Sequence, residues 1–488
     1  MRPEQAFPRT SRIQACSKGT AVGKMLALAV ALAAACSAAA DTEGLPSANE
    51  VREGIVRAAE AFSNLSYKGG YPFLISGDLE TRYNGGHGTL RPHPDRTYIC
   101  IEPPATPWVG RAMLRAYRVA GDERLLGMAM ETGDALATVQ LAVGGWRMRQ
   151  PLSDQWADTH IDVPGAYRNT PQADLDDNRS QGPALFLVEL VRDGSPSERH
   201  REAMHKALDM LLEAQYPSGG WPQYYPLETE DGHSDLGNYR RYHHINDATI
   251  PDCMTTLLEA YRAFGEQRYL DAVVRAADWL LEVRLPEAAW AQQYYDDFVT
   301  GPYKPNAPAP GRWFEPTAIT AGETRSVISI LIEVWLETGD ERYIEPFGEV
   351  AEWYERSRLE DGRWARFYEL HTNRPLYCTP DRIITYSDED LRPGYAWKGT
   401  WGNAVLHTIQ GVQDRSREDI LAGRDAPPSP ERIRQLGRAA REALDALDER
   451  GLWVVSRGPE DENIRTDEFY RQMGRLCAYL EALAAREG

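Results

Sequence analysis

An arginine near the start of a helix-like segment is followed, 21 or 22 residues later, by a tryptophan at five places in this chain. Several of these arginines end a similar short stretch, such as the Gly-Asp-Glu-Arg at 121–124 and at 339–342. The five pairs are Arg124/Trp146, Arg199/Trp221, Arg268/Trp290, Arg342/Trp364 and Arg432/Trp453. A spacing that recurs in this way indicates an internal repeat, and such a repeat constrains the fold more than any single motif. The chain is therefore predicted to consist of repeated helical units.

The unit around residues 255–281 shows what one repeat contains. Apolar residues recur at helical spacing in 255–264 and again in 269–281, and the short connection between them contains Gly265. This pattern predicts two antiparallel helices in a hairpin. Similar hairpins are predicted at 107–140, 183–216, 323–357 and 400–450.

The ends of the chain predict how the hairpins are arranged. A helix at 49–64 lacks a preceding partner, and a helix at 467–485 lacks a following one. We expect these two helices to pair and close a ring, which gives an all-α fold, an α/α toroid of about six helical hairpins. An open helical solenoid is the alternative.

Connections within the predicted hairpins are short, whereas those between hairpins are long. The long ones are 147–180, 222–248, 291–322 and 365–397. Because hairpins alternate in direction, all four must emerge on the same side of the ring. Long loops in a compact domain are usually functional, so this side is where a site is expected.

Residues 1–40 differ from the rest of the chain. Basic residues precede an apolar run at 25–35, and small residues follow it. This pattern is typical of a secretory signal peptide and is too short for a membrane span. We therefore expect a secreted or periplasmic protein, in which residues 41–488 form a single catalytic domain and the chain is a monomer. Lipid modification at Cys36 is the alternative.

The formal net charge of −19 bears on the kind of partner. An acidic surface argues against nucleic acid and against anionic membranes, but it allows an anionic ligand where a site is locally basic. Four cysteines follow the leader, and their spacing matches no zinc motif. They are Cys100, Cys253, Cys378 and Cys477.

Acidic residues stand directly before two predicted helices. Asp176 and Asp177 lie in the first long loop, and Asp247 ends the second. An aspartate before a helix is often only an N-cap. A cluster of carboxylates also suits calcium, or acid and base catalysis in a glycosidase. His243 and His244 lack the further ligands that a transition-metal site would need.

The same loops also contain aromatic and basic residues. Trp221 and Tyr224 are candidate platforms for sugar rings, and Lys304 is a further candidate binding residue. The fourth loop contains several arginines in an acidic protein, and arginine binds carboxylates through two parallel hydrogen bonds. A polyanionic ligand explains this cluster better than a solvated loop does. These arginines are Arg366, Arg374, Arg382 and Arg392.

Several motifs, in this order, resemble those of the family 10 polysaccharide lyases, which are pectate lyases. They are Gly-Gly-Trp-Pro-Gln-Tyr-Tyr-Pro at 219–226, Ile-Asn-Asp at 245–247, Trp-Ala-Gln-Gln-Tyr at 290–294, Arg-Trp-Phe-Glu-Pro at 312–316, Trp-Ala-Arg-Phe-Tyr-Glu-Leu at 364–370, Thr-Asn-Arg-Pro at 372–375 and Gly-Tyr-Ala-Trp at 394–397. The resemblance spans roughly 177–397. It implies a helical toroid that cleaves polygalacturonate, or a related uronate polysaccharide, by β-elimination with Ca²⁺.

The resemblance also implies roles for individual residues. Arg312 lies at the position of the proton-abstracting arginine, and Asp177 and Asp247 at the positions of the calcium-binding aspartates. Arg366 and Arg392 correspond to arginines that bind substrate carboxylates. Arg382 fits this pattern less closely, because the family's arginine usually comes two residues earlier.

Two other hypotheses remain open. One is an α/α-toroid glycoside hydrolase acting on a plant cell-wall polysaccharide, in which Asp176 or Asp177 works with Asp247 or Asp296. The other is a carbohydrate-binding protein without catalytic activity, which the loop aromatics suggest. The resemblance to the lyases is the only argument for an arginine as base, since arginine normally stays protonated.

Overall fold

The computed structural model describes residues 44–84, 91–93, 96–152, 172–227, 239–299 and 302–487. The predicted signal peptide and Cys36 lie outside these residues. The helices are α1 (Ala48–Ser63), α2 (Thr106–Ala120), α3 (Glu123–Val139), α4 (Gln181–Arg192), α5 (Glu198–Ala214), α6 (Thr249–Phe264), α7 (Gln267–Glu282), α8 (Thr324–Thr338), α9 (Phe347–Arg356), α10 (Trp401–Gln413), α11 (Arg417–Asp425), α12 (Pro430–Asp445) and α13 (Thr466–Glu487). None of these described helices combines the length and the apolar character that a membrane span requires.

The helices form an α/α toroid, as predicted. The helices α2, α4, α6, α8 and α10 form an inner ring in which each contacts the next, and α13 contacts α2 and so closes the ring. The helices α1, α3, α5, α7, α9 and α12 lie outside them. Where the ring closes, Thr466 Oγ1 at the start of α13 donates a hydrogen bond to the carbonyl of Phe73 (3.0 Å). The helix α13 also contacts α1, as predicted for the first and last helices of the chain. The short helix α11 is an insertion in the last hairpin that the repeat pattern did not predict.

The repeated tryptophans hold each outer helix to the loop that follows it. In all five, the indole N–H donates to the backbone carbonyl ten residues earlier, near the end of an outer helix. Trp221, for example, donates to Leu211 (2.7 Å) and has no exposed surface. Each repeat therefore fixes the angle at which its chain leaves the outer helix.

Short antiparallel strands connect the outer helices to the inner ones. They are β1 (Leu74–Ser76), β2 (Arg82–Asn84), β3 (Arg91–Pro92), β4 (Tyr98–Cys100), β5 (Arg149–Pro151), β6 (Ala173–Asp174), β7 (Tyr224–Tyr225), β8 (His243–His244), β9 (Gln293–Tyr294), β10 (Pro308–Ala309), β11 (Ile319–Thr320), β12 (Trp364–Ala365), β13 (Phe367–Tyr368), β14 (Pro375–Cys378), β15 (Ile384–Thr385), β16 (Lys398–Gly399), β17 (Val454–Val455) and β18 (Asn463–Arg465). Six of them, β4, β6, β8, β11, β16 and β18, come shortly before the six inner helices. The long loops therefore lie on the side of the ring where the inner helices begin.

A large hydrophobic core includes residues of both rings of helices, from Val51 on α1 to Ala482 on α13, and a small second cluster surrounds Phe73. The four cysteines of the described residues are buried, and none of them is bonded to another of the four. Cys253 Sγ, on α6, accepts a hydrogen bond from Gln181 Nε2 (3.4 Å). The fold therefore depends on apolar packing and on the tryptophan contacts rather than on disulfides among these cysteines.

Candidate active site

Two turns with the same backbone conformation begin the site. Asp177 has φ 49° and ψ 32°, and Asp247 has φ 50° and ψ 31°; each lies in a short 3-10 turn between a strand and an inner helix. The left-handed region is uncommon for residues other than glycine, and aspartate and asparagine tolerate it best. Both carboxylates are therefore placed by the same strand–turn–helix arrangement in successive repeats.

These turns bring three carboxylates together. Oxygen atoms of Asp176, Asp177 and Asp247 all lie within 4.8 Å of one another. Asp176 and Asp177 are half-buried, and Asp247 is exposed. Such a group of carboxylate oxygens has the chemistry that calcium prefers. One oxygen of this group, Asp176 Oδ1, is buried without a hydrogen-bond partner, so a cation there would satisfy an otherwise unpaired atom.

Arg179 balances part of this negative charge from below. Its buried guanidinium contacts Asp177 (2.6 Å), Asp174 (2.8 Å) and Glu102 (3.2 Å). A buried arginine is stable in such a place because several carboxylates pair with it. Arg179 therefore fixes Asp177 in position.

The charge balance raises the pKa of Asp247. Burial by surrounding protein atoms and repulsion from Asp176, Glu323 and Asp177 raise this pKa to about 8, although the carboxylate itself reaches solvent. Asp176 behaves differently. Burial opposes its ionisation, yet His244 and Arg179 keep its pKa below the ordinary value. Asp247 is therefore the carboxyl of the cluster that keeps a proton at neutral pH when no cation is bound.

His244 is buried next to the carboxylate cluster. Gln293 Nε2 lies 2.9 Å from His244 Nδ1 and fixes the orientation of the ring. His244 Nε2 lies 3.7 Å from Asp176 Oδ1, too far for a hydrogen bond. His243 instead packs against Trp279 and contacts Asp297 (3.1 Å), so its role is structural.

Glu323 connects the acidic cluster to the arginines. It stands directly before α8 and contacts Arg366 Nη1 at 3.0 Å. The backbone amide of Asp247 is close enough to stabilise the Glu323 carboxylate, whose pKa is nevertheless raised by burial. Arg366 Nε also donates to the carbonyl of Ala396 (3.1 Å). The guanidinium is therefore held beside the turn that carries Asp247.

Arg312 lies near the same turn, since its charge lowers the pKa of Asp247. Its guanidinium donates to the buried Glu315, which also accepts from the Arg312 backbone N–H (2.8 Å) and the Tyr395 hydroxyl (2.8 Å). Burial disfavours the charged form, but Glu315 holds the pKa of Arg312 above its usual range. In this arrangement Arg312 is a cation.

Tyr395 lies between two of the arginines. The guanidinium carbons of Arg366 and Arg312 are 4.9 Å and 5.6 Å from the centre of its ring. Cation–π contacts of this kind fix the separation of the two charges. Apart from the Gly-Tyr-Ala-Trp motif at 394–397, nothing in the sequence indicates this role.

Arg382 and Arg392 lie farther out, against one indole. Their guanidinium carbons are 4.9 Å and 5.4 Å from the centre of the Trp313 ring. The Arg392 guanidinium carbon also lies 4.1 Å from the ring centre of Phe314, two residues after Arg312 in the chain. The structure therefore places four of the predicted arginines along one surface.

The remaining predicted site residues, Trp221, Tyr224, Lys304 and Asp296, range from fully buried to exposed. Trp221 as a sugar platform is wrong, because its side chain is fully buried and holds the outer helix α5. Tyr224 is half-buried, and burial together with repulsion from Asp174 and Asp176 raises its pKa. Lys304 is exposed in the loop before β10. Asp296 is buried and pairs with Arg241 (3.1 Å).

Sequence reasoning did not identify Arg179, Glu323 or Tyr395. Glu323 had a detectable signal, because it is the third residue after a strand that leads to an inner helix, as Asp177 and Asp247 are in the two preceding repeats. Arg179 follows Asp177 by two residues, and nothing in the sequence shows that its side chain turns back toward three acids.

The family model described as "Pectic acid lyase" matches this chain at residues 140–250, 244–305 and 357–406, slightly less than half of the chain. These segments include the turns of Asp177 and Asp247 and the strand that leads to Arg366. The match confirms the resemblance that the loop motifs indicated, and it supports a polysaccharide lyase that acts on pectic material.

Similar proteins also occur among curated sequences and solved structures. A squalene–hopene cyclase from Alicyclobacillus acidocaldarius is 26% identical over 201 residues, and the chain spans only 29% of the length of this relative. A family 10 polysaccharide lyase from Cellvibrio cellulosa is 19% identical, with a TM-score of 0.46 over 63% of this chain and 96% of that one. A cellobiose 2-epimerase from Bacillus thermoamylovorans is 14% identical, with a TM-score of 0.47 over 89% of this chain and 98% of that one. With TM-scores below 0.5, these structures do not bear on the residues of the site.

Proposed function

We propose that this protein is a calcium-dependent pectate lyase, which cleaves polygalacturonate by β-elimination. The proposal rests on one observation: a carboxylate cluster lies next to several arginines on the side of the toroid that has the long loops. The match to pectic acid lyases covers the turns that carry the two aspartates of the cluster. An acid cluster alone would suit several activities, whereas cations beside it suit a substrate that is itself an acid.

The carboxylates of Asp176, Asp177 and Asp247 would hold the calcium ion. Bound calcium would neutralise a substrate carboxylate and so make the proton on the adjacent carbon more acidic. Arg179 restrains Asp177 from beneath, which keeps its oxygen directed toward the other two aspartates. This arrangement costs little reorganisation when the ion binds.

The arginines would bind and orient the sugar acid. Glu323 and the Ala396 carbonyl hold Arg366 on two sides, so its remaining donors point in a fixed direction. Arg382 and Arg392 lie farther out against Trp313 and suit the carboxylates of neighbouring residues of the polymer. Stacked guanidinium groups of this kind keep their edges free for carboxylates.

We assign proton abstraction to Arg312. In β-elimination the C5–H bond breaks, its proton passes to the base, its electron pair forms the C4–C5 double bond, and the C4–O bond breaks. The leaving oxygen then takes a proton from water. As a base Arg312 must be neutral, yet Glu315 favours its charged form. Arg312 therefore has to part from Glu315, which keeps two other donors when it does so, the Arg312 backbone N–H and the Tyr395 hydroxyl.

An ultraviolet assay tests this function. Incubation with polygalacturonate is expected to give the absorbance of an unsaturated uronate, and a calcium chelator is expected to abolish it. Re-addition of calcium should restore the activity, which separates loss of the metal from loss of the fold. No absorbance with any uronate polymer would reject the proposal. The leader at 1–40 supports export to the periplasm or the medium.

A glycoside hydrolase is the second candidate, and the carboxylates supply one observation in its favour. The pKa of Asp247 is raised to about 8 while that of Asp176 is lowered, which is the split that an acid and a nucleophile need. Such an enzyme would have no use for Arg312 or Arg366. It would release reducing sugar without an unsaturated product, and chelation would not affect it.

A further inference from the structure

An exposed arginine and an exposed tyrosine form a pair on the hairpin of β14 and β15, away from the cluster described above. The Arg374 guanidinium carbon lies 3.4 Å from the centre of the Tyr386 ring, a closer approach than that of Arg382 or Arg392 to Trp313. The side chain of Tyr386 is 42% exposed. The reaction proposed above does not use either residue.

The neighbouring carboxylate fixes this pair without occupying the arginine. Glu369 Oε1 accepts from the Tyr386 hydroxyl (2.6 Å), and Glu369 Oε2 accepts from the hydroxyl of Thr372. In the part of the chain that the structure describes, no carboxylate oxygen lies within 4.0 Å of the Arg374 guanidinium nitrogens. Glu369 therefore holds the ring in place, and the ring holds the guanidinium flat with its donor edges toward solvent.

The pair continues the surface on which the other arginines lie. Arg382 and Tyr386 stand on either side of β15, four residues apart, which is about 13 Å at the rise of an extended strand. Arg382 contacts Trp313, the residue next to Arg312. The backbone N–H of Arg392 donates to the carbonyl of Cys378 (2.8 Å) and ties the hairpin to this surface.

We propose that Arg374 and Tyr386 form an outer subsite, which binds the carboxylate of a uronate residue several units away from the cleaved bond. This inference rests on the proposed function. A guanidinium stacked on an aromatic ring is already ordered, so it loses little side-chain entropy when a carboxylate binds to its edge. The hairpin thereby favours long polymers over short oligosaccharides.

The dependence of KM on substrate length tests the outer subsite. For Arg374→Ala we expect KM for long polygalacturonate to rise about tenfold, the loss of one charge-assisted contact. KM for the shortest oligomer that is cleaved, and kcat for every length, should stay unchanged. Arg374→Lys, which keeps the charge without the planar group, should fall between Arg374→Ala and the wild type.

Arg358 provides a matched control. It is also an arginine stacked on an aromatic ring, 4.8 Å from the centre of Trp364, but it already pairs with Glu355 (3.0 Å). Arg358→Ala should leave KM unchanged at every length. Thermal unfolding of each variant shows whether the fold is intact.

Two results would overturn the subsite. One is the same KM for Arg374→Ala and the wild type on long chains, and the other is an equal rise at every length, which would mean a general disturbance. If the wild type cleaves no uronate polymer, the proposed function fails by itself. Calorimetric titration of wild type and Arg374→Ala with long polygalacturonate would then decide the subsite, since equal affinities would refute it.

Discussion

Asp177 and Asp247 come from successive repeats and share one backbone conformation, with φ and ψ near 50° and 30° in both. Their carboxylates meet because each turn follows a short strand and precedes an inner helix. The toroid therefore builds a two-sided acidic site by using the same local structure twice. Asparagine tolerates the left-handed region as well as aspartate does, so the charge can be removed without strain in the turn.

Replacement of either aspartate by asparagine tests the metal site. Asp177→Asn and Asp247→Asn should weaken calcium binding by more than the roughly 10–100-fold that loss of an outer partner costs. Isothermal titration with calcium measures this directly. Asp209→Asn, on the exposed outer helix α5, should bind calcium as the wild type does. Wild-type affinity in both site variants would place the ion elsewhere.

The raised pKa values predict how the calcium-free protein responds to pH. Burial raises the pKa values of Asp174, Asp252 and Asp247 to about 6, 7 and 8, above the ordinary 3.8. Between pH 4 and these values the folded state binds more protons than the unfolded state, so the free energy of unfolding falls as pH rises through this window. Urea unfolding in a chelator at several pH values measures the effect.

Calcium should reverse this dependence, because the ion requires deprotonated carboxylates. Its affinity should rise as the pH rises toward 8, and binding at pH 7 should release protons. In Asp247→Asn the slope of stability against pH should be smaller. A slope of the opposite sign in the calcium-free wild type would contradict the raised pKa values.

Arg312→Lys tests the assignment of the base. Lysine keeps a positive charge near Glu315 but changes the geometry and basicity of the group, so we expect kcat to fall by about 10²–10⁴-fold, the usual contribution of general base catalysis. The thermal unfolding temperature should change little, since Arg312 is exposed. Arg358→Lys, which alters a similar pair on the surface, should keep full activity. An active Arg312→Lys enzyme would require another base.

Two tryptophans should respond differently to substitution. Trp221→Phe removes a buried hydrogen bond to Leu211 and leaves that carbonyl unsatisfied, at a cost of about 1–3 kcal/mol. It should lower the thermal unfolding temperature and leave KM unchanged. Trp313→Ala removes the ring beneath Arg382 and Arg392 and should raise KM. If the folded Trp221→Phe enzyme had a raised KM, Trp221 would have to contribute to substrate binding after all.

The buried cysteines predict that reducing agents do not affect stability. Cys100, Cys253, Cys378 and Cys477 are buried and form no disulfide with one another, and burial raises the pKa values of Cys253, Cys378 and Cys477. A thiol reagent should label none of the four in the native protein and all of them in denaturant. Mass spectrometry counts the labels, and an intact disulfide after denaturation would contradict the structure.

The sequence by itself determined the helical hairpins and their order. Apolar residues at helical spacing, and an arginine–tryptophan register repeated five times, depend on local geometry and on contacts ten residues apart. The side of the ring that carries the long loops follows from these hairpins, since their directions alternate. The lyase motifs could also be recognised in the sequence, because each is a short, continuous stretch of the chain.

Only the tertiary structure decided which side chains meet and which are buried. The contacts of Arg179 with Glu102, of Glu323 with Arg366, and of Tyr395 with Glu315 join residues 77, 43 and 80 positions apart, and no periodicity records such distances. Burial also separated Trp221, which fixes a helix, from Trp313, which carries arginines. Trp221 directly precedes one long loop and Trp313 lies in another, and their different roles arise because packing surrounds the first ring and leaves the second partly exposed.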